Sequence, residues 1–169
     1  MLRLLVIPLI LLTLSGFASK DQLREMYWRA EDDVAIRFFY AQAQKEKITD
    51  AVVLAYLGVA TAMQAQVAEG ISDKLRYFSE GKDKIEEAVK LDPNNPEIRF
   101  LRFSVQSEVP AILGYRSDIG EDYDLVLYYL NAGQYLPSRE YCIRMKTFMM
   151  ASEVLDKNQK NQLKNISIS

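Results

Sequence analysis

The sequence predicts an all-α fold built as a short stack of antiparallel helix pairs, and three observations carry that expectation. Apolar residues recur at helical spacing through most of the chain beyond residue 20. Glycine and proline number only 7 and 5 in 169 residues, too few for a strand-and-turn architecture. The run 51–68, AVVLAYLGVATAMQAQVA, carries no charge and is apolar on every side, the pattern of a helix buried on most faces. One domain accounts for the length.

Residues 1–18 read as an export signal. Arg3 and the terminal amine give a short positive start, and Leu4–Leu14 is an apolar run of 11 residues, too short to span a bilayer comfortably. Gly16-Phe17-Ala18 places small residues where a signal peptidase needs them, so cleavage after Ala18 is expected. No Cys follows the run to accept a lipid. The expected location is therefore periplasmic or secreted. An uncleaved N-terminal anchor is the alternative, and the expected route to any membrane.

Removing residues 1–18 takes away Arg3 alone among the charges, so the net charge moves from −2 to −3, with 20 basic against 23 acidic residues. Nucleic-acid binding needs a basic surface to displace counterions, so that class of partner is not expected. Cys142, the only cysteine, cannot form an intramolecular disulfide. It lies in an apolar helical pattern, where an unpaired thiol packs as a small hydrophobe.

Between residues 20 and 44, the stripe Leu23, Tyr27, Ala30 is interrupted by Glu31-Asp32-Asp33 and followed by Val34, Phe38 and Ala41. This reads as two short antiparallel helices, with acids at the positive start of the second. Asp50 caps the charge-free helix 51–68. In a soluble stack this is a central helix; as a membrane span, its Thr61, Gln64 and Gln66 make it marginal. Ser72 is the expected N-cap of a long helix Asp73–Leu91, with Leu75, Phe78, Ile85, Ala88, Val89 and Leu91 as its apolar face. Asp92-Pro93 stops that helix. Pro96 opens the next, to Ser107, at the position where a missing N–H costs nothing. After an apolar loop 109–117, Ser117 or Asp118 caps a helix to about Asn131. Ser138 caps a last one to about Asp156. The polar tail 157–169, KNQKNQLKNISIS, is expected to be disordered.

The stretch Gly81–Phe103 carries a family resemblance. Gly81, Ile85 and Ala88 lead into Leu91-Asp92-Pro93, a two-residue turn, and Pro96. This resembles the tetratricopeptide repeat, whose second helix ends in small, apolar, small, then proline. The repeat period is about 34 residues. Leu54, Leu57 and Gly58 fall on the large, large, small positions of a unit opening at Ala51. Gly81, Ile85, Ala88 and Pro93 come into register if 11 residues are inserted, and the same insertion places Pro96 at the opening of the next unit. The units are then 19–50, 51–95 and 96–131, with 138–156 as a closing helix. Ile36 in the first unit departs from the pattern, as do Tyr115, Ile119 and Asp122 in the third; terminal units relax their pattern because they need a polar outer face. The resemblance implies a right-handed α–α superhelix with a groove lined by the first helix of each pair.

Catalytic signals are sparse. The chain has no His, which removes the usual general base, the usual zinc ligand and the common nucleophile pairs. Ser79-Glu80-Gly81-Lys82 matches S-x-x-K, but the S-D-N and K-T-G companions are absent from the sequence. The acids Asp118, Glu121, Asp122 and Asp124 do not have EF-hand spacing; they suit the first turn of a helix. No cofactor or metal is expected. The resulting expectation is a non-catalytic, exported interaction or assembly module that binds a peptide or protein segment in a helical groove. A membrane-anchored assembly subunit is the alternative, then an exported cell-envelope hydrolase using carboxylates or Ser79 and Lys82. The candidate groove residues are Tyr56, Arg99, Phe100, Arg102 and Gln106; Arg99, Arg102 and Gln106 form a polar stripe at i, i+3, i+7.

Overall fold

The structure is a computed structural model that describes residues 20–48, 50–134 and 137–168. The expected signal segment 1–18 and its cleavage site lie outside the described residues. Eight α-helices and one short 3-10 turn make up the described fold, with no strand among them. The helices are α1 (Lys20–Arg29), α2 (Asp33–Ala43), α3 (Ala51–Val67), α4 (Ile71–Leu91), α5 (Pro96–Glu108), α6 (Ile119–Asn131), α7 (Arg139–Ala151) and α8 (Lys157–Asn165).

Local chemistry sets most of the boundaries. Asp32 accepts from the Ala35 N–H to start α2, and Asp50 accepts from Val52 and Val53 to start α3. Asn95 accepts from Glu97 and Ile98 to start α5, with Pro96 at the first turn. Each of these satisfies amides that the helix leaves without an internal partner. The expected Ser72 cap is corrected: α4 begins two residues earlier, at Ile71, behind Gly70. The helix expected from Ser138 to Asp156 stops at Ala151.

The polar tail is also corrected. Residues 157–165 form α8, whose start is a capping box in which Asp156 accepts from Gln159 N–H and the Gln159 side chain accepts from Asp156 N–H. Leu163 is fully buried and Ile166 nearly so. Burial of one such side chain contributes about 1.5–3 kcal/mol, so two apolar anchors suffice to dock a segment whose composition reads as disordered.

α3 is the centre of the fold. It packs most extensively on α4 and also touches α1, α2 and α5. Its small residues let α4 approach to backbone contact. A Cβ on Gly58 would lie 2.7 Å from Ile85 Cγ1, and one on Gly81 would lie 2.5 Å from Ala62 N and 2.6 Å from Gly58 O. The order of these contacts makes the pair antiparallel. At 17 and 21 residues, α3 and α4 outrun the other helices, which have 9 to 13. The added length extends both arms of this hairpin beyond the glycine crossing.

The odd-numbered helices lie side by side and run in the same direction. Lys20 pairs with Asp50 at one end, and Tyr27 packs on Tyr56 further along. Trp28 stacks on Phe100 at 5.7 Å and meets Tyr141 at 5.7 Å. Phe100 also meets Phe148 at 5.6 Å. Thus α7 folds back across α1 and α5, and the aromatic rings of four helices fill the space between them. Among the described residues, no helix is long and apolar enough to cross a membrane.

Candidate functional site

The five residues expected to line a groove are interior. Tyr56, Phe100 and Gln106 are fully buried, and Arg99 and Arg102 are each only 4 % exposed. The physical reason differs by face: α1 and α7 cover Tyr56 and Phe100, and α6 and α4 cover Arg99, Arg102 and Gln106. Phe100 is spent in the aromatic layer. Tyr56 donates to Glu97 Oε1 at 2.7 Å, and its oxygen lies 2.7 Å from that of Tyr141. Glu97 is in turn held by Arg24 Nε at 2.7 Å and Nη2 at 2.8 Å. Burial pushes both phenols well above their ordinary pKa, with the neighbouring Glu97 charge adding to it, so both stay neutral donors.

The polar stripe of α5 has its partners on α6. Arg102 grips Asp122 with two hydrogen bonds, 2.8 Å from Nε and 2.7 Å from Nη2, and reaches Glu86 at 3.1 Å. Arg99 pairs with Asp122 and Glu121, and Gln106 donates to Asp118 at 3.4 Å. Tyr115 donates to Glu86 at 2.6 Å. The acids 118–122 are thus the counterpart of the α5 stripe. The sequence holds the signal for this: acids at i, i+3 and i+4 following basic residues at i, i+3, read across an antiparallel pair. Burial raises the Asp122 pKa against the pull of Arg102 and Arg99. Asp118 is held below the usual range by the Ser117 hydroxyl and then by Arg102. Ser79 is exposed on α4, and the Lys82 ammonium sits over the Tyr115 ring, 5.4 Å from its centroid.

An accessible site lies instead at the far end of the odd helices. A cleft of about 770 Å³ opens between α1, α3, α4, α5, the loop after α5, and α7. Tyr27, Trp28, Val59, Met63, Val105 and Phe148 form its interior. The extended arms of α3 and α4 supply one wall, through Met63, Ala65, Leu75 and Phe78. Leu75 is 49 % exposed, Leu113 36 %, and Ile143, on α7, 40 %. The volume is that of a ligand site, typically about 300–1,000 Å³. Its polar side chains are few: Ser104, Gln66 and Thr147, with Glu31, Lys74, Glu108 and Arg144 carrying charge. Leu75, expected on the packed face of α4, is a wall of this cleft, and Leu91, expected beside it, is 63 % exposed. Periodicity assigns a residue to an apolar stripe but does not say whether a neighbour covers it.

No protein-family model, curated protein or solved structure matches this chain. Among the described residues, no group of three or more His, Cys, Asp or Glu side chains could hold a metal ion.

Proposed function

We infer that this protein is a non-catalytic binding module, built as a tetratricopeptide-like array, that holds a protein segment in the apolar cleft between α1, α4 and α7. One observation carries the reading: a partly open, mainly apolar cleft with aliphatic side chains exposed at its mouth. Left empty, Leu75, Leu113 and Ile143 keep apolar surface in water, and covering it stabilises a complex by about 25 cal/mol per Å² before association costs. The Gly58–Gly81 contact falls where the repeat register places two small residues, which supports the array. Export, with cleavage near Ala18, remains part of the proposal.

Site-specific photo-crosslinking tests it. A benzophenone side chain at Leu75 or Ile143 should capture one recurrent protein in the native cells, and one at Tyr128, exposed elsewhere on α6, should not. A synthetic peptide spanning the mapped crosslink should then change Trp28 fluorescence. Equal capture from all three positions, or no peptide response, would remove the reading.

A further inference from the structure

We propose that the occupant of this cleft is an amphipathic α-helix, with an apolar stripe that enters the cleft and a basic flank that meets Glu31 and Glu108. This rests on the segment-binding reading above and names the conformation and charge of the segment.

An extended peptide laid into the cleft would bring an N–H and a C=O per residue out of water. Each needs a partner or carries a desolvation cost. The walls are helices, whose own backbone groups are already paired within them, and the interior offers few side chains that could substitute. A helix satisfies its backbone internally and presents only side chains, so it is the peptide conformation that this lining tolerates. Recognition then reads as apolar anchors at i, i+3, i+4 and i+7.

Charge at the cleft selects the flank. Glu31 and Glu108 line it, both exposed, and neither has an ion-pair partner among the described residues. Both stand at the ends of parallel helices, α1 and α5, and Glu108 is close enough to perturb the Tyr27 hydroxyl electrostatically. Lys74, on the α4 wall, likewise has no ion pair. Arg144 is already engaged with Glu25 and Glu140. Two free acids and one free base along the lining fit a helix that carries mainly Lys or Arg beside its apolar stripe, with an acid available for Lys74. An acyl chain would use neither charge.

Trp28 is the only tryptophan and lines the cleft, so its fluorescence reports occupancy directly. The probes are a 14-residue peptide with Leu at i, i+3, i+4 and i+7 and Lys along one flank, locked as a helix by a side-chain bridge; the same peptide with a central Pro; a Glu-flanked version of the locked peptide; and palmitate. The locked Lys peptide should bind at least 10-fold tighter than the Pro form. E31K/E108K, at two exposed positions, should weaken it several-fold and strengthen the Glu-flanked peptide. L75E should abolish the response while leaving the thermal midpoint in place. Equal binding of the locked and Pro forms would overturn the helix and leave segment binding standing. Palmitate binding without either peptide would overturn both. Silence from every probe, or indifference to E31K/E108K, would overturn the helix with its basic flank.

Discussion

Gly58 and Gly81 meet across the α3–α4 crossing so closely that neither has room for a methyl group. The nearest atoms to a Cβ on Gly81 are backbone, Ala62 N at 2.5 Å and Gly58 O at 2.6 Å, so a flexible side chain cannot move aside to relieve the clash. The two helices would have to separate, and α3 is the helix on which α1, α2, α4 and α5 all pack. Gly81→Ala is expected to destabilise by about 1–3 kcal/mol, the usual cost of overpacking, despite the better helix propensity of alanine. Gly120→Ala on α6, where nothing lies within 4 Å, should be neutral or stabilising. Urea unfolding of both variants checks the contrast.

The Arg102–Asp122 pair joins α5 to α6 away from water. Truncating one partner strands a buried charge, at a cost of about 3–5 kcal/mol. Asp122→Ala and Arg102→Met should each fall in that range. The double variant Arg102→Met, Asp122→Leu should recover a large part of the loss, because burial of an apolar pair needs no compensation for desolvation. If the double variant were as unstable as the sum of the two, the pair would not be coupled, and Glu86 or Arg99 would be the dominant partner.

Acid should act on this fold through identifiable aspartates. Burial pushes the Asp50 pKa up, but Lys20 and the Val52 and Val53 amides outweigh it and hold it below the ordinary value. Asp118 is depressed as well. A carboxyl with a depressed folded-state pKa contributes stability that is complete above its unfolded value, about 4. That contribution is lost as pH falls through the folded value. Asp122 has the opposite sign: its pKa is raised by burial, so its protonation on acidification offsets part of the loss. The thermal midpoint should stay flat from pH 7 to about 5 and drop below about 4. Asp50→Asn keeps a competent N-cap but loses the Lys20 ion pair and cannot titrate, so it should lower the midpoint at pH 7, converge with the parent protein in acid, and so flatten that drop.

Helix positions were legible in the sequence because their starts are chemical: Asp50, Asn95-Pro96 and Ser138 each cap where their side chains allow. The small residues were legible too: Gly58 and Gly81 stand out in the sequence of α3 and α4, and they meet. The closure of α7 over α1 was not. It depends on Trp28, Phe100, Tyr141 and Phe148 meeting across α1, α5 and α7, and periodicity reports a stripe without naming its neighbour. Nor does periodicity show that Arg99 and Arg102 face the acids of α6, so they read as a groove lining. The cleft was not legible for a related cause: one wall is the length of α3 and α4 beyond the glycine crossing, and no local pattern shows that this length stays uncovered.

α8 makes the last prediction, since composition argues against its existence. Its nine residues, KNQKNQLKN, hold one apolar side chain, and nine residues are too few for a stable isolated helix. Its stability must come from docking. Leu163 is fully buried, Tyr123 donates to Gln159 O at 3.0 Å and to the Gln162 side chain at 2.7 Å, and Lys146 donates to Ile166 O at 2.6 Å. Leu163→Ala should therefore cost about 2–5 kcal/mol, as for other buried leucines. Asp156→Ala should cost about 0.5–2 kcal/mol through the cap. Tyr123→Phe removes the single O–H that the Gln159 and Gln162 oxygens share, without a cavity, and should fall below Leu163→Ala. Amide exchange gives the sharper reading: in Leu163→Ala, protection should vanish from 157–168 first and persist in α3. Equal loss of protection in α3 would mean that α8 is part of the cooperative core rather than a docked segment.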